Sequence, residues 1–308
     1  MKSSQFICQS KCYFSQSKNI KDKTSRFIWL LSFILGSFWL QGCAVIVSSA
    51  TENLAENLAK AIANNDDPKT VKQGAPSYLI MIDSFVEGDP ENSSVKRAAS
   101  KLNVAYAAMF VEDPERQRKM GDKGLKYAVS ALCLDFPNNC QLTSLNYDDF
   151  EARLNLVNKK QLEDVYTLGV AWSAWLQFHR SDWNAVAKLP QIKSLFNKVL
   201  ALDDGYDQGA AHYYLALLNS ILPPAMGGDT DLAQQHFLKA IALSQGKNLM
   251  VQVSYAEKYA RLIFDQSLHD NLLNEVIAAN PYMDGYVLSN QLAIAKAKEL
   301  LASSADYF

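Results

Sequence analysis

From residue 51 onward, apolar residues recur at steps of three and four, and no β-branched run alternates long enough to make a convincing sheet. Leu54, Leu58 and Ile62 form one such stripe, which stops at the polar run Asn64-Asn65-Asp66-Asp67-Pro68. Asp67 before Pro68 predicts a helix start there, because a carboxylate caps free backbone N–H groups and proline fits the first turn. The helix so begun carries Tyr78, Leu79, Met81, Ile82 and Phe85 and closes at Gly88-Asp89-Pro90. A second follows over 94–110, and Glu112-Asp113-Pro114-Glu115 opens a third. The same periodicity predicts further helices near 147–157, 160–180, 190–202, 207–222, 230–244, 247–265, 268–279 and 288–303. Helix alternating with short polar punctuation is the pattern of antiparallel helix pairs, so the fold class expected is all-α.

Parts of the pattern repeat. Leu215-Ala216 and Asn219 on one helix are followed by Ala233, Phe237 and Ala240 as A-x-x-x-F-x-x-A on the next. That spacing resembles the second helix of a tetratricopeptide repeat, where small residues admit a close neighbour and the aromatic fills the gap. Degenerate copies run from Val165, Leu168-Gly169 and Trp172 into Phe196, Val199 and Leu202-Asp203-Asp204, and again through Ala128, Ala131, Leu132 and Leu134 to Pro137. A tetratricopeptide-like helical-repeat body with capping end helices is the expected architecture.

The start of the chain differs. Lys18, Lys21, Lys23 and Arg26 precede a stretch from Phe27 to Trp39 without any charge, then Leu40-Gln41-Gly42-Cys43. Positive, then apolar, then a small residue is the order of a secretory signal. The apolar stretch is shorter than the roughly 20 residues a membrane-crossing helix needs. Cysteine directly after Leu-x-Gly resembles the bacterial lipoprotein box, in which the thiol is acylated, here with palmitate or a similar chain, and becomes the first mature residue. The competing reading is a retained signal anchor with Cys43 as an ordinary thiol. The leader would run to Gly42, longer than the usual ~15–30 residues, which points to an over-long start or to an unusual polar leader containing Cys8 and Cys12. The division expected is therefore a lipoprotein signal peptide over 1–42, a lipid-anchored tether over 43–50 and the helical-repeat domain over 51–308.

Charge changes the picture once that leader is set aside. Residues 1–42 hold six of the 30 Lys and Arg and one of the 32 acidic residues, which leaves 24 against 31, a net charge of −7. An acidic body without basic clusters argues against nucleic acid as partner and against an intrinsic polybasic membrane patch. Attachment to the membrane would come from the acyl chains on Cys43. Only Cys133 and Cys140 then remain, an even pair that is either a disulfide or two reduced thiols, and two thiols alone make no zinc site.

Candidate chemistry is sparse. His179, His212, His236 and His269 fall at no metal spacing, and neither a nucleophile elbow nor a phosphate-cradling loop occurs. No catalytic residue, metal or cofactor is expected. Gly227-Gly228-Asp229 reads as a turn capping the next helix, with Asp229 or Thr230 as the capping residue, and Asp148-Asp149 and Asp203-Asp204 as carboxylates at helix ends. Trp172, Trp175 and Phe178 lie at three-residue steps on one helix, with Tyr213, Tyr214 and Leu217 on a neighbour. Such a stripe is ordinarily core; the alternative is the wall of a channel or pocket. His212 and His236, facing one another across a helix pair, are either structural or ligand contacts. Trp172, Trp175, His212, Tyr213 and His236 are thus the ligand-channel candidates.

The ordered set is similar to one family. It comprises the lipoprotein box, Pro76-Ser77-Tyr78-Leu79 with Asp83, and Ala105-Tyr106-Ala107 before Glu112-Asp113. It continues through Trp172 and Trp175, His212, Pro223 to Gly227-Gly228-Asp229, His236-Phe237, Gly246-Lys247, Tyr259-Ala260, Asn290, Ala293, Ala297 and Leu300-Leu301. These resemble the T component of tetratricopeptide-associated TRAP transporters, the TatT lipoproteins. The resemblance implies a non-catalytic homotrimer on the periplasmic face of the membrane, docking the solute-binding subunit and enclosing an apolar channel for a hydrophobic small molecule. Ala44 after the cysteine leans toward the outer membrane. The alternative function is a tetratricopeptide-like outer-membrane lipoprotein that scaffolds envelope assembly.

Overall fold

Capping residues fix where the first helices begin. In the computed structural model, which describes residues 54, 57–223 and 228–308, the Asp67 side chain accepts from the Lys69 N–H at the start of α1 (Pro68–Gly88). Asn92 caps α2 (Ser93–Phe110) through Val95, and Asp113 caps α3 (Pro114–Asp135) through Arg116. Pro76 lies inside α1 and cannot donate to the Lys72 carbonyl one turn earlier. The Tyr106 hydroxyl of α2 donates to that carbonyl instead, at 3.1 Å, so the break in one helix is mended by its neighbour.

Helices α2 and α3 run antiparallel. Lys96 near the start of α2 donates to Ser130 near the end of α3, while Ser100 donates to the Gly124 carbonyl. A Cβ on Gly124 would lie 2.6 Å from a methyl of Val104, so only glycine permits this approach. A disulfide joins Cys133 to Cys140 across the short turn Pro137–Asn139, with Cα atoms 4.3 Å apart.

The chain continues through α4 (Tyr147–Asn155), α5 (Leu162–Phe178), the single turn α6 (Trp183–Val186) and α7 (Leu189–Leu202). Next come α8 (Ala210–Asn219), α9 (Thr230–Leu243), α10 (Leu249–Ser254) and a π-helical turn over Tyr255–Ala260. The last are α11 (Gln266–Ala278), α12 (Val287–Ala302) and α13 (Ser304–Tyr307). The described residues contain no strand, so the fold is all-α, and they belong to one compact unit, Glu52–Phe308.

Three apolar clusters follow the chain. The largest joins α3, α4, α5, α7 and α8 through Leu132, Phe150, Leu168, Trp172, Phe196 and Leu215. The second joins α8, α9 and the π turn, and the third joins α10, α11 and α12. A further cluster unites the two ends of the described chain: Val71, Ala75 and Leu79 of α1 pack with Tyr106 and with Leu288 of α12. Polar contacts seal the same seam, since Asn64 donates to Asp284 at 2.8 Å and accepts from the Gly285 N–H at 2.6 Å.

One helix starts later than the periodicity predicts. In place of a helix from 207, Asp207, Gln208 and Gly209 all take left-handed backbone angles, and α8 begins only at Ala210. The leader 1–42, Cys43 and the tether to residue 50 lie outside the described residues, as does 224–227 of the turn before α9.

Candidate functional site

The tryptophan stripe on α5 divides between two neighbours. Trp172 is 2% exposed and meets the Phe150 ring of α4 edge-on, at 6.1 Å. Trp175 turns to α3, where its indole N–H donates to Asp122 at 2.8 Å and its ring stacks on His179 at 4.6 Å. Phe178 packs where Gly121 of α3 leaves room. Burial of these rings contributes to packing of α3, α4 and α5, and the indole of Trp175 gains a polar partner.

His212 and His236 are brought together. Helices α8 and α9 run antiparallel, because Gly209 meets Leu243 at one end and the Asp229 N–H reaches the Asn219 carbonyl at the other. Asp229 also caps α9 by accepting from Leu232. Between those ends the His212 and His236 Nδ1 atoms approach to 2.8 Å, and His212 Nε2 lies 3.1 Å from Asp204. A carboxylate can only accept, which assigns the proton on His212 to Nε2. Its Nδ1 must then accept from His236 Nδ1–H. Lys239, one turn along from His236, pairs with the other Asp204 oxygen at 3.3 Å. Burial lowers the pKa of His212 against the pull of Asp204. Burial, followed by the nearby His212, pushes His236 down to about 4.

That geometry has a pH consequence. Unfolded, His236 takes up a proton as pH falls below about 6.5, while in the folded chain it resists until about 4. The unfolded state therefore binds more protons between those values, so stability falls as the solution is acidified across that window and levels below it. After allowance for residual solvent contact, the loss attributable to His236 is ~2 kcal/mol. Urea midpoints at pH 7 and pH 4 should differ less for His236→Gln than for the parent protein. Parallel pH curves for the two would remove this account.

Tyr213 sits beside this pair and shares a hydrogen bond with Ser254 at 2.9 Å. Of the other histidines, His179 lies under Trp175, while His269 is fully buried. His269 accepts from Arg261 Nε at 3.2 Å and donates from Nδ1 to Asp270, whose carboxylate also accepts from Ser304. That chain of bonds ties α11 to the C-terminal turn.

Two constellations escaped the sequence reading. Arg97 of α2, 13% exposed, bonds Asp164 of α5 and Asp135 of α3, each at 2.7 Å, with Glu163 at 3.5 Å. Asp164 is 2% exposed, and burial pushes its pKa up to about 6 even against Arg97. The second is Tyr166, whose hydroxyl donates to Asp207 at 3.0 Å among the rings of Tyr206, Phe196 and Tyr214. The signal available for it was the crowded turn Gly205-Tyr206-Asp207-Gln208-Gly209.

Among the described residues, no three His, Cys, Asp or Glu side chains are grouped to hold a metal, and no helix is long and apolar enough to cross a membrane. A family model described as TRAP transporter T-component matches residues 64–308. No curated protein matches the chain.

Proposed function

Because the chain belongs to the TRAP transporter T-component family, an accessory and non-catalytic role, we propose that it docks the solute-binding subunit of a TRAP-type secondary transporter and carries an apolar ligand. The match across 64–308 carries this reading. The antiparallel pairs α2/α3, α8/α9 and α11/α12, with Phe237 between Ala233 and Ala240, support a tetratricopeptide-like scaffold offering a helical docking surface.

In this proposal residues 1–42 are a cleaved lipoprotein signal, Cys43 bears the acyl chains, 43–50 is the tether and 51–308 is the working domain. The protein then sits on the periplasmic face of the membrane, the outer one by preference, as a homotrimer. The Cys133–Cys140 bridge suits an oxidising compartment. In this proposal the ligand path runs near His212, Tyr213 and His236, and Trp172 and Trp175 of α5 serve it by holding the neighbouring α4 and α3 in place. Affinity for an apolar ligand would come from area removed from water.

Native mass spectrometry of the protein isolated from its host tests the assembly and the cargo together. A three-subunit mass with a retained apolar ligand, and a complex with the solute-binding subunit on mixing, are expected. A ligand-free monomer that ignores the solute-binding subunit overturns the proposal. Labelled palmitate should enter the parent protein and not Cys43→Ser.

A further inference from the structure

The turn spanned by the disulfide holds a polar side chain where it is poorly served. Asn139, last residue of the turn Pro137–Asn139, is 1% exposed. Neither its Nδ2 nor its Oδ1 has a hydrogen-bond partner among the described residues. Enclosing an amide with both ends unpaired costs more than an ordinary hydrogen bond contributes, because each group loses water and gains no replacement. A side chain in that position turns out to solvent unless something holds it.

Little besides the bridge does so. Within the turn the Asn139 N–H donates to the Phe136 carbonyl at 2.9 Å. The Cys140 N–H lies 3.5 Å from the Pro137 carbonyl, too long for a strong bond. Arg153, exposed on α4, donates to the Asn138 carbonyl. Phe136 and Leu142 join the largest apolar cluster and anchor the segment on either side of Asn139. Pro137 and Asn138 are exposed, and Cys133 and Cys140 both keep accessible surface.

The bridged segment also carries part of the Arg97 network. Asp135 stands between the two cysteines and supplies one of the two 2.7 Å bonds to Arg97, Asp164 supplying the other. Cys133 and Asp135 both lie in the last turn of α3. A helix end released from its fastening frays first, ahead of any global opening.

We propose that the Cys133–Cys140 bridge is a redox latch, opened by a dithiol reductant. One thiolate of the dithiol attacks a bridge sulfur, breaking the S–S bond and forming a mixed disulfide, and its second thiol then displaces the protein sulfur. Two electrons and two protons pass to the chain, which leaves Cys133 and Cys140 as thiols and the reductant as its own disulfide. Asn139 then swings into water, the end of α3 frays, and Asp135 parts from Arg97. Oxidation reverses each step. The device is independent of the transporter reading and survives its failure.

Hydrogen exchange read by mass spectrometry on the full chain, before and after dithiothreitol, tests it. Amides of 134–142 should exchange about 10-fold faster or more in the reduced chain, with those of α9 unchanged. Cys133→Ser with Cys140→Ser should reproduce that acceleration without reductant. Asn139→Leu keeps the shape and removes the unpaired groups, so most of the acceleration should vanish in that variant. Asp135→Asn should lower the melting temperature of the oxidised chain and leave that of the reduced chain unchanged. Equal exchange in the two redox states, or a bridge that dithiothreitol leaves closed in the folded protein, overturns the latch. So does an acceleration undiminished in Asn139→Leu, or one spread evenly over the whole chain.

Discussion

Phe237→Ala lowers stability by about 3–5 kcal/mol, the range for emptying a fully enclosed aromatic site. Phe237 has no exposed surface, stacks on Tyr255 at 5.0 Å, and lies among Ala216, Ala233 and Ala240. The alanines bring the helices too close for any neighbour to swing into the vacancy. At roughly 2–4 °C per kcal/mol for a chain of this size, the midpoint should fall by about 10 °C. Phe237→Leu refills most of the volume and should lose about 1.5 kcal/mol or less. Because His236 is the adjacent residue on α9, loosening that helix should let the imidazole return toward an ordinary pKa, readable by proton NMR. A thermal midpoint for Phe237→Ala within 2 °C of the parent would refute this packing argument.

The second large effect follows from Arg97→Met. The substitution leaves Asp164 enclosed with no counter-ion, and removing one partner of a buried pair costs about 3–5 kcal/mol. Asp164 already sits at about 6, raised by burial, with Arg97 holding it down. Without the guanidinium its pKa climbs further, and it becomes neutral at pH 7. The deficit should therefore be largest at alkaline pH and shrink as acid supplies the missing proton. Replacing both residues, as Arg97→Met with Asp164→Leu, should restore most of the loss, because two apolar groups need no partner. Urea unfolding at pH 5.5 and pH 8.5 measures both claims. A deficit unchanged between those values would exclude Asp164 as its source.

Local chemistry was legible in the sequence, and long-range pairing was not. Asp67-Pro68, Asp113-Pro114 and Asp229 announced their helix starts because capping involves only the next few residues. The A-x-x-x-F-x-x-A spacing placed Phe237 in a helix pair because small residues permit close approach. The pairing of His212 with His236 was visible as a possibility, since both lie on adjacent helices of one unit. Arg97 with Asp164 was not, as 67 positions separate them and many arginines pair with solvent instead. Three-residue spacing on α5 put Trp172 and Trp175 on one side of a helix. It could not say that α4 would cover one and α3 the other. The late start of α8 was missed because Asp207 and Gln208 are read as ordinary helix formers unless their backbone angles are known. The π turn at Tyr255–Ala260 was hidden likewise, inside a stretch whose periodicity is helical throughout.

The seam between α1 and α12 governs when this molecule can finish folding. Val71, Ala75 and Leu79 meet Leu288, and Asn64 meets Asp284 and Gly285. During synthesis, then, α2 covers part of the apolar flank of α1 early, and the part that Leu288 covers stays open until the last twenty or so residues have been made. A nascent polypeptide held open in this way exposes apolar surface, and with it a route to misassembly, for as long as it waits.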